Sequence, residues 1–183
     1  LFPNVNHSLN WMKTYTSASL AEDRTPGSNS IRQPLDNLRN AGLIYGNIIY
    51  NKAPVMMQKL VEIMGEEAYQ EGIREYLKTY AYGNATWDDL IAILDAKSEE
   101  DLASFSDVWV NQKGMPHISF TNRCGQLEIR QRDPLNRGLL WPQRFNITFY
   151  GDETSTVEVN LTHETYALTI PLGTQAILPN TDG

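Results

Sequence analysis

Hydrophobic residues follow two different periods along this chain. From Leu35 to Asn111 they recur at helical spacing: Leu60 and Ile63 follow Val55 and Met56, a stripe of Ile73, Tyr76, Leu77 and Tyr80 comes next, and Leu90, Ile91 and Leu94 mark a further segment. The pattern predicts a series of amphipathic helices. Thr86 with Asp89, and again Ser98 with Asp101, predict N-caps carrying an acidic residue at the third helical position. The last helix presents Leu102, Phe105, Val108 and Trp109 and meets Gly114 and Pro116, so the helical part is expected to end near Lys113. Beyond it the period becomes two. Ile118 and Phe120, Leu127 and Ile129, Phe145 to Phe149, Val157 to Leu161, and Tyr166 to Ile170 alternate with polar neighbours, as in half-buried strands. Turns are expected at Asn122 to Gly125, Asp133 to Gly138, Gly151-Asp152 and Thr162-His163. The expected class is α+β, with a helical domain over 1–113 and a small antiparallel β-sandwich over 114–183. One long loop-like stretch runs from Ala21 to Gln33, as a functional loop or a surface connection.

Composition narrows the functions available. With 183 residues and 41% hydrophobic content the chain can bury one or two cores. A net charge of −7 argues against electrostatic binding to nucleic acid or to an anionic membrane surface. No apolar run approaches the ~20 residues that cross a bilayer. The start, Leu1-Phe2-Pro3-Asn4, has neither an initiator Met nor a signal-peptide layout, and the chain is expected to be an excerpt of a longer polypeptide. The lone Cys124 forms no internal disulfide and says nothing of compartment, and sequons at Asn6, Asn84, Asn146 and Asn160 arise readily by chance in a chain rich in Asn, Ser and Thr.

Candidate chemistry is sparse. A two-histidine zinc motif needs imidazoles one helical turn apart with a glutamate between them, and the chain has His7, His117 and His163 alone. His163-Glu164-Thr165-Tyr166-Ala167 lacks the second histidine and falls where alternation predicts strand, so no metal site is assigned. No G-x-S-x-G and no glycine-rich phosphate loop occurs, and Cys124 sits in an expected turn far from any helix start. Tyr50 on an apolar segment is most often a core residue, but a phenol keeps its proton at neutral pH and can donate to an oxyanion. Lys52 could orient the local backbone or pair with a carboxylate, but a solvated lysine at a helix start is the commoner state, and it is assigned no role; Tyr45 is a second phenol nearby without a following lysine. Pro54 fits a first helical turn or a kink in one longer helix from about Leu43. The acidic run Glu99-Glu100-Asp101 and the pair Glu66-Glu67 read as helix-start charges, and Trp87, Trp109 and Trp141 as packing residues.

Four stretches, in order, carry a resemblance. They are Tyr50-Asn51-Lys52-Ala53, Met64-Gly65-Glu66-Glu67, Tyr82-Gly83-Asn84-Ala85-Thr86-Trp87-Asp88-Asp89-Leu90, and Trp109-Val110-Asn111-Gln112-Lys113-Gly114-Met115-Pro116. This succession resembles the membrane alanyl aminopeptidase family of zinc peptidases, the gluzincin aminopeptidases, whose pattern is Tyr-x-Lys-Gly, Leu-Gly-Glu-Glu, Tyr-x-Asn-Ala-x-x-x-Asp-Leu and Trp-x-x-Gln-x-Gly-x-Pro. Ala53 departs from it where the family has Gly. The resemblance implies the C-terminal portion of a thermolysin-like catalytic domain followed by a β-sandwich. It implies a zinc metalloaminopeptidase that removes N-terminal residues from peptide substrates, with zinc bound by ligands outside this chain and the rest of the polypeptide upstream as its partner. Tyr50 then lands on the family's oxyanion-stabilising tyrosine, and the isolated chain is expected to be inactive. Two other readings stand beside it: a non-catalytic, aminopeptidase-like scaffold binding proteins, and an unrelated helical domain joined to a carbohydrate- or protein-binding sandwich, for which Tyr150 and Trp141 are too few exposed aromatics to argue.

Overall fold

The computed structural model describes residues 5–181, so the reading of Leu1 to Asn4 lies outside the described residues. Contacts divide the chain into two compact units, Leu1–Gly114 and Met115–Gly183. The class is α+β: the first unit is helical and the second holds two small antiparallel sheets.

Helix begins earlier than hydrophobic spacing indicates. Asn6 caps α1 (His7–Trp11) by accepting from the Leu9 amide at 2.9 Å, and the helix continues through a π-helical turn, Met12–Thr16, into α2 (Ser17–Asp23). Trp11, Tyr15 and Ala18 stand at helical spacing and are half-buried, a stripe that the reading from Leu35 onward does not include, and Ala21 to Asp23 belong to α2 rather than to the expected loop, which occupies 24–37. After a 3-10 segment, Leu38–Leu43, a second π-helical turn, Ile48–Lys52, runs directly into α3 (Ala53–Met64). Pro54 therefore sits just past the π turn of one continuous helix that starts at Ile48 rather than Leu43, in a place where the ladder is already irregular and its missing amide costs little.

Three more helices follow: α4 (Glu66–Thr79), α5 (Trp87–Asp95) and α6 (Leu102–Trp109). At α5 the sequence reading of the cap is met in full, since Thr86 Oγ1 accepts from the Asp89 amide and Asp89 Oδ2 accepts from the Thr86 amide at 2.8 Å. The reading at Ser98 is corrected. The cap of α6 is Asp101, whose carboxylate accepts from the Ser104 amide at 2.8 Å, while Ser98 Oγ accepts from the Glu100 amide in the preceding turn. Glu99 and Glu100 thus lie ahead of the helix. The helix itself ends at Trp109, with Gly114 beyond it at φ 87, a backbone conformation that disfavours any residue bearing a Cβ.

Leu60, Leu94, Leu102, Phe105 and Trp109 are buried in the helical core, and Trp87 donates from Nε1 to Ser106 Oγ at 2.7 Å. The α4 stripe is shallower than its spacing suggests: Ile73, Tyr76 and Tyr80 are half-buried and Leu77 is exposed. What brings α4 close to α5 is Gly72, where an added Cβ would come 2.5 Å from Leu94 Cδ2. Leu94 is fully buried and has nowhere to retreat. Alanine at 72 gains about 1 kcal/mol of helix propensity but overpacks the contact by about 1 to 3 kcal/mol. Gly72→Ala is expected to lower stability by about 1 kcal/mol net, read as a lower urea midpoint.

In the second unit the sheets are ordered β1-β2-β5 and β4-β3-β6, with β1 (His117–Arg123), β2 (Gln126–Arg132), β3 (Gln143–Gly151), β4 (Ser155–Leu161), β5 (Thr165–Thr169) and β6 (Thr174–Pro179). Five strands fall where alternation places them; β6 carries too short a pattern to be read. Cys124 (φ 51) and Gly125 (φ 83) make the two-residue turn between β1 and β2, both in the left-handed region that matches strand twist. Leu127, Ile129, Phe145, Ile147, Phe149, Val159 and Leu161 form the core of the sandwich. One inward position is polar. Gln131 is buried, donates to the His163 carbonyl at 2.9 Å and accepts from the Trp141 amide at 2.9 Å, so its amide is satisfied on both sides. Trp141 is fully buried and packs against the Arg137 guanidinium, which excludes it from a ligand-binding aromatic face.

Asp133 fixes the turn after β2. Burial alone would raise its carboxyl, but hydrogen bonds from the Arg137 guanidinium and from the Leu135 and Arg137 amides outweigh that and hold it below its ordinary value. A carboxylate with a depressed folded value stabilises above its unfolded value, and the contribution fades as pH falls through the folded one. Asp133→Asn is therefore expected to destabilise at about pH 7 and to lose that deficit progressively as pH falls below the ordinary carboxylate range, as read by thermal unfolding.

Candidate active-site tyrosine and its buried support

Tyr50 stands in the π-helical turn Ile48–Lys52. Its side chain is not in the core: the residue is 56% exposed, and its ring meets Tyr45 edge-on at 5.7 Å between centroids. The Tyr50 amide donates to the Gly46 carbonyl at 3.0 Å, and Asn51 Nδ2 donates to Asn47 Oδ1 at 2.7 Å, tying the turn to the residues before it. Ala53 closes the turn at φ −58, a conformation open to any residue, so alanine in the place of the pattern's glycine introduces no strain.

Lys52 corrects the sequence reading most sharply. Side chains two apart on a helical turn point to nearly opposite sides. With Tyr50 facing out, Lys52 faces in, and its side chain is 1% exposed. Its ammonium pairs with Asp23 Oδ2 at 2.7 Å and donates to the Gly114 carbonyl at 3.3 Å. Asp23 Oδ1 in turn accepts from Ser28 Oγ at 2.6 Å and from the Gly114 amide at 3.1 Å. A buried charge needs an opposite charge and hydrogen bonds; here the ion pair supplies the charge, Ser28 Oγ and the Gly114 amide bond Asp23 Oδ1, and the Gly114 carbonyl bonds Lys52. It joins the end of α2, the loop after it, the π turn and the glycine that closes the helical unit. Both π turns pack here, since Met12–Thr16 and α2 lie against Ile48–Lys52.

Sequence reasoning misses Asp23 and Ser28: Ser28 bonds its near neighbour Asp23, and the partners that give Asp23 its place, Lys52 and Gly114, lie far along the chain. Gly114 reads from sequence only as a stop signal. Its positive φ and its two backbone hydrogen bonds give it a second reason to be glycine.

His163 lies in the turn before β5, with Thr162 Oγ1 at 3.0 Å from its Nδ1. Among the described residues no three of His, Cys, Asp and Glu come together to hold a metal ion, so the residues present do not fit a zinc centre by themselves. Among the described residues no helix is long and apolar enough to cross a membrane.

Residues 1–109 match the domain described as Peptidase family M1 domain. The chain belongs to peptidase family M1. It is 31% identical over 137 residues to Aminopeptidase M1-C of Oryza sativa subsp. japonica, covering 75% of this chain and 16% of that protein. It is 30% identical to Aminopeptidase M1 of Arabidopsis thaliana over 67% of this chain and 14% of that protein. To Aminopeptidase N of Streptomyces lividans it is 30% identical over 58% of this chain and 12% of that protein. The chain thus spans about one-sixth or less of the length of the curated relatives it matches.

Proposed function

We propose that this chain is part of a zinc-dependent metalloaminopeptidase that releases N-terminal residues from peptides, and that Tyr50 is its oxyanion donor. The helical unit over 1–113 is the C-terminal portion of the catalytic domain, the residues from 114 onward are the adjoining sandwich, and zinc with its ligands belongs to the rest of the polypeptide. The observation that supports the reading is the place of Tyr50 in the run Tyr50-Asn51-Lys52, inside a span that matches a peptidase domain, with the residue outside the core of the described residues and carried by a π-helical turn.

When a peptide carbonyl is attacked, its oxygen gains negative charge. A phenol placed opposite meets that charge with an O–H donor, a contact stronger in the transition state than in the ground state, and so accelerates turnover more than it tightens binding. Among the described residues no cluster of His, Cys, Asp and Glu could hold the metal that activates the water, and the 183-residue chain by itself is expected to be inactive.

The coding sequence upstream of Leu1 tests the reading. It is expected to contain H-E-x-x-H and a further glutamate about one helix later. Replacement of those ligands would make the protein a non-catalytic relative, with proteins as its partners in place of peptide substrates.

A further inference from the structure

We propose that Lys52 is a positioning residue, which through Asp23 and Gly114 fixes the rotation of the π turn about its axis and so aims the Tyr50 hydroxyl; the proposal rests on the reading of Tyr50 as oxyanion donor. The geometry is that of a lever. Tyr50 and Lys52 leave the same turn on nearly opposite sides, one exposed and one buried, so whatever holds the lysine sets the direction of the phenol. The outward side offers little restraint, because Tyr50 touches the ring of Tyr45, itself exposed. The inward side is tightly specified. Lys52 Nζ is held at 2.7 Å by Asp23 Oδ2 and at 3.3 Å by the Gly114 carbonyl, and Asp23 is held in its turn by Ser28 and the Gly114 amide.

A π turn makes such an anchor necessary. Its i→i+5 bonding, as from the Ala53 amide to the Ile48 carbonyl, departs from the α-helical ladder and its side-chain directions, and Pro54 removes an amide from the ladder just beyond it. A packed α-helix would fix the phenol by its own regularity. Here a buried charge pair does so from the far side, and burial makes the direction sharp, because Lys52 cannot shift without leaving Asp23 uncompensated.

The experiment is a mutant cycle in the full polypeptide, read by steady-state kinetics and by the fluorine resonance of 3-fluorotyrosine installed at position 50. Asp23→Asn with Lys52→Met removes both charges together, so neither is left buried alone, and the amide oxygen introduced at position 23 still accepts from Ser28 and Gly114. This double variant is expected to lower kcat by about 10- to 100-fold with KM changed by less than about twofold. In the Tyr50→Phe background the same double change is expected to lower kcat no further, and in the labelled protein it shifts and narrows the fluorine signal. Equal losses with and without the Tyr50 hydroxyl, an unaltered kcat, or an unmoved resonance would each overturn the proposal. If Tyr50→Phe itself leaves kcat unchanged, the oxyanion reading falls, and the resonance alone decides whether Lys52 positions the ring: moved, it does; unmoved, it does not.

Discussion

Tyr50→Phe in the full polypeptide is expected to lower kcat by about 100- to 1000-fold while KM stays within about twofold. Phenylalanine keeps the ring, its edge-on contact with Tyr45 and the helix it sits on, and it removes a single hydroxyl. Because the residue is largely exposed, stability is expected to change by less than about 0.5 kcal/mol. A fall in kcat therefore reports lost transition-state stabilisation and not unfolding. Tyr45→Phe is the matched control. The two phenols are neighbours of similar exposure, but the family pattern falls on Tyr50 alone, so the Tyr45 variant should retain its turnover. Equal losses at both positions would point to general polarity of the surface rather than to a donor aimed at one oxygen.

The second large effect is on stability. Lys52→Met alone leaves the Asp23 carboxylate buried without its counter-charge, and breaking such a pair costs about 3 to 5 kcal/mol. Adding Asp23→Asn is expected to recover most of that loss. Two burials of charge are then avoided together, the Ser28 and Gly114 hydrogen bonds keep an acceptor in the new side-chain amide oxygen, and Met fills much of the volume of the lysine chain. Loss of helical far-UV signal in urea should show the single variant with the lower midpoint and the double variant close to the parent. Equal midpoints for the single variant and the parent would mean that the pair carries no compensated burial.

Local rules make much of the fold legible. The Thr86–Asp89 box, the acidic start of α4, the two-residue turn at Cys124-Gly125 and the alternating strands each rest on residues near one another in sequence, where periodicity and capping chemistry operate. The cap of α6 misleads because Ser98 and Asp101 fit the same spacing as a true cap, and only the reach of Asp101 to the Ser104 amide separates them. The N-terminal helices are harder to read because their stripe of Trp11, Tyr15 and Ala18 is short and the π turn Met12–Thr16 interrupts the regular period.

The candidate site divides in the same way. Tyr50 is visible because it sits in a recognisable run. Lys52 and Asp23 are not, since charged side chains read as solvated, and the pair forms only when α2, the π turn and Gly114 meet in three dimensions. Burial reverses both default readings: the tyrosine that frequency assigns to the core is outside, and the lysine that frequency assigns to solvent is inside.

The measurement that bears most directly on the central claim is hydrolysis of an aminoacyl-anilide by the full polypeptide, before chelation, after it, and after zinc is restored. The account predicts release of the anilide, its loss with the chelator and its return with zinc, whereas no release at any stage, or release that the chelator leaves untouched, would contradict it.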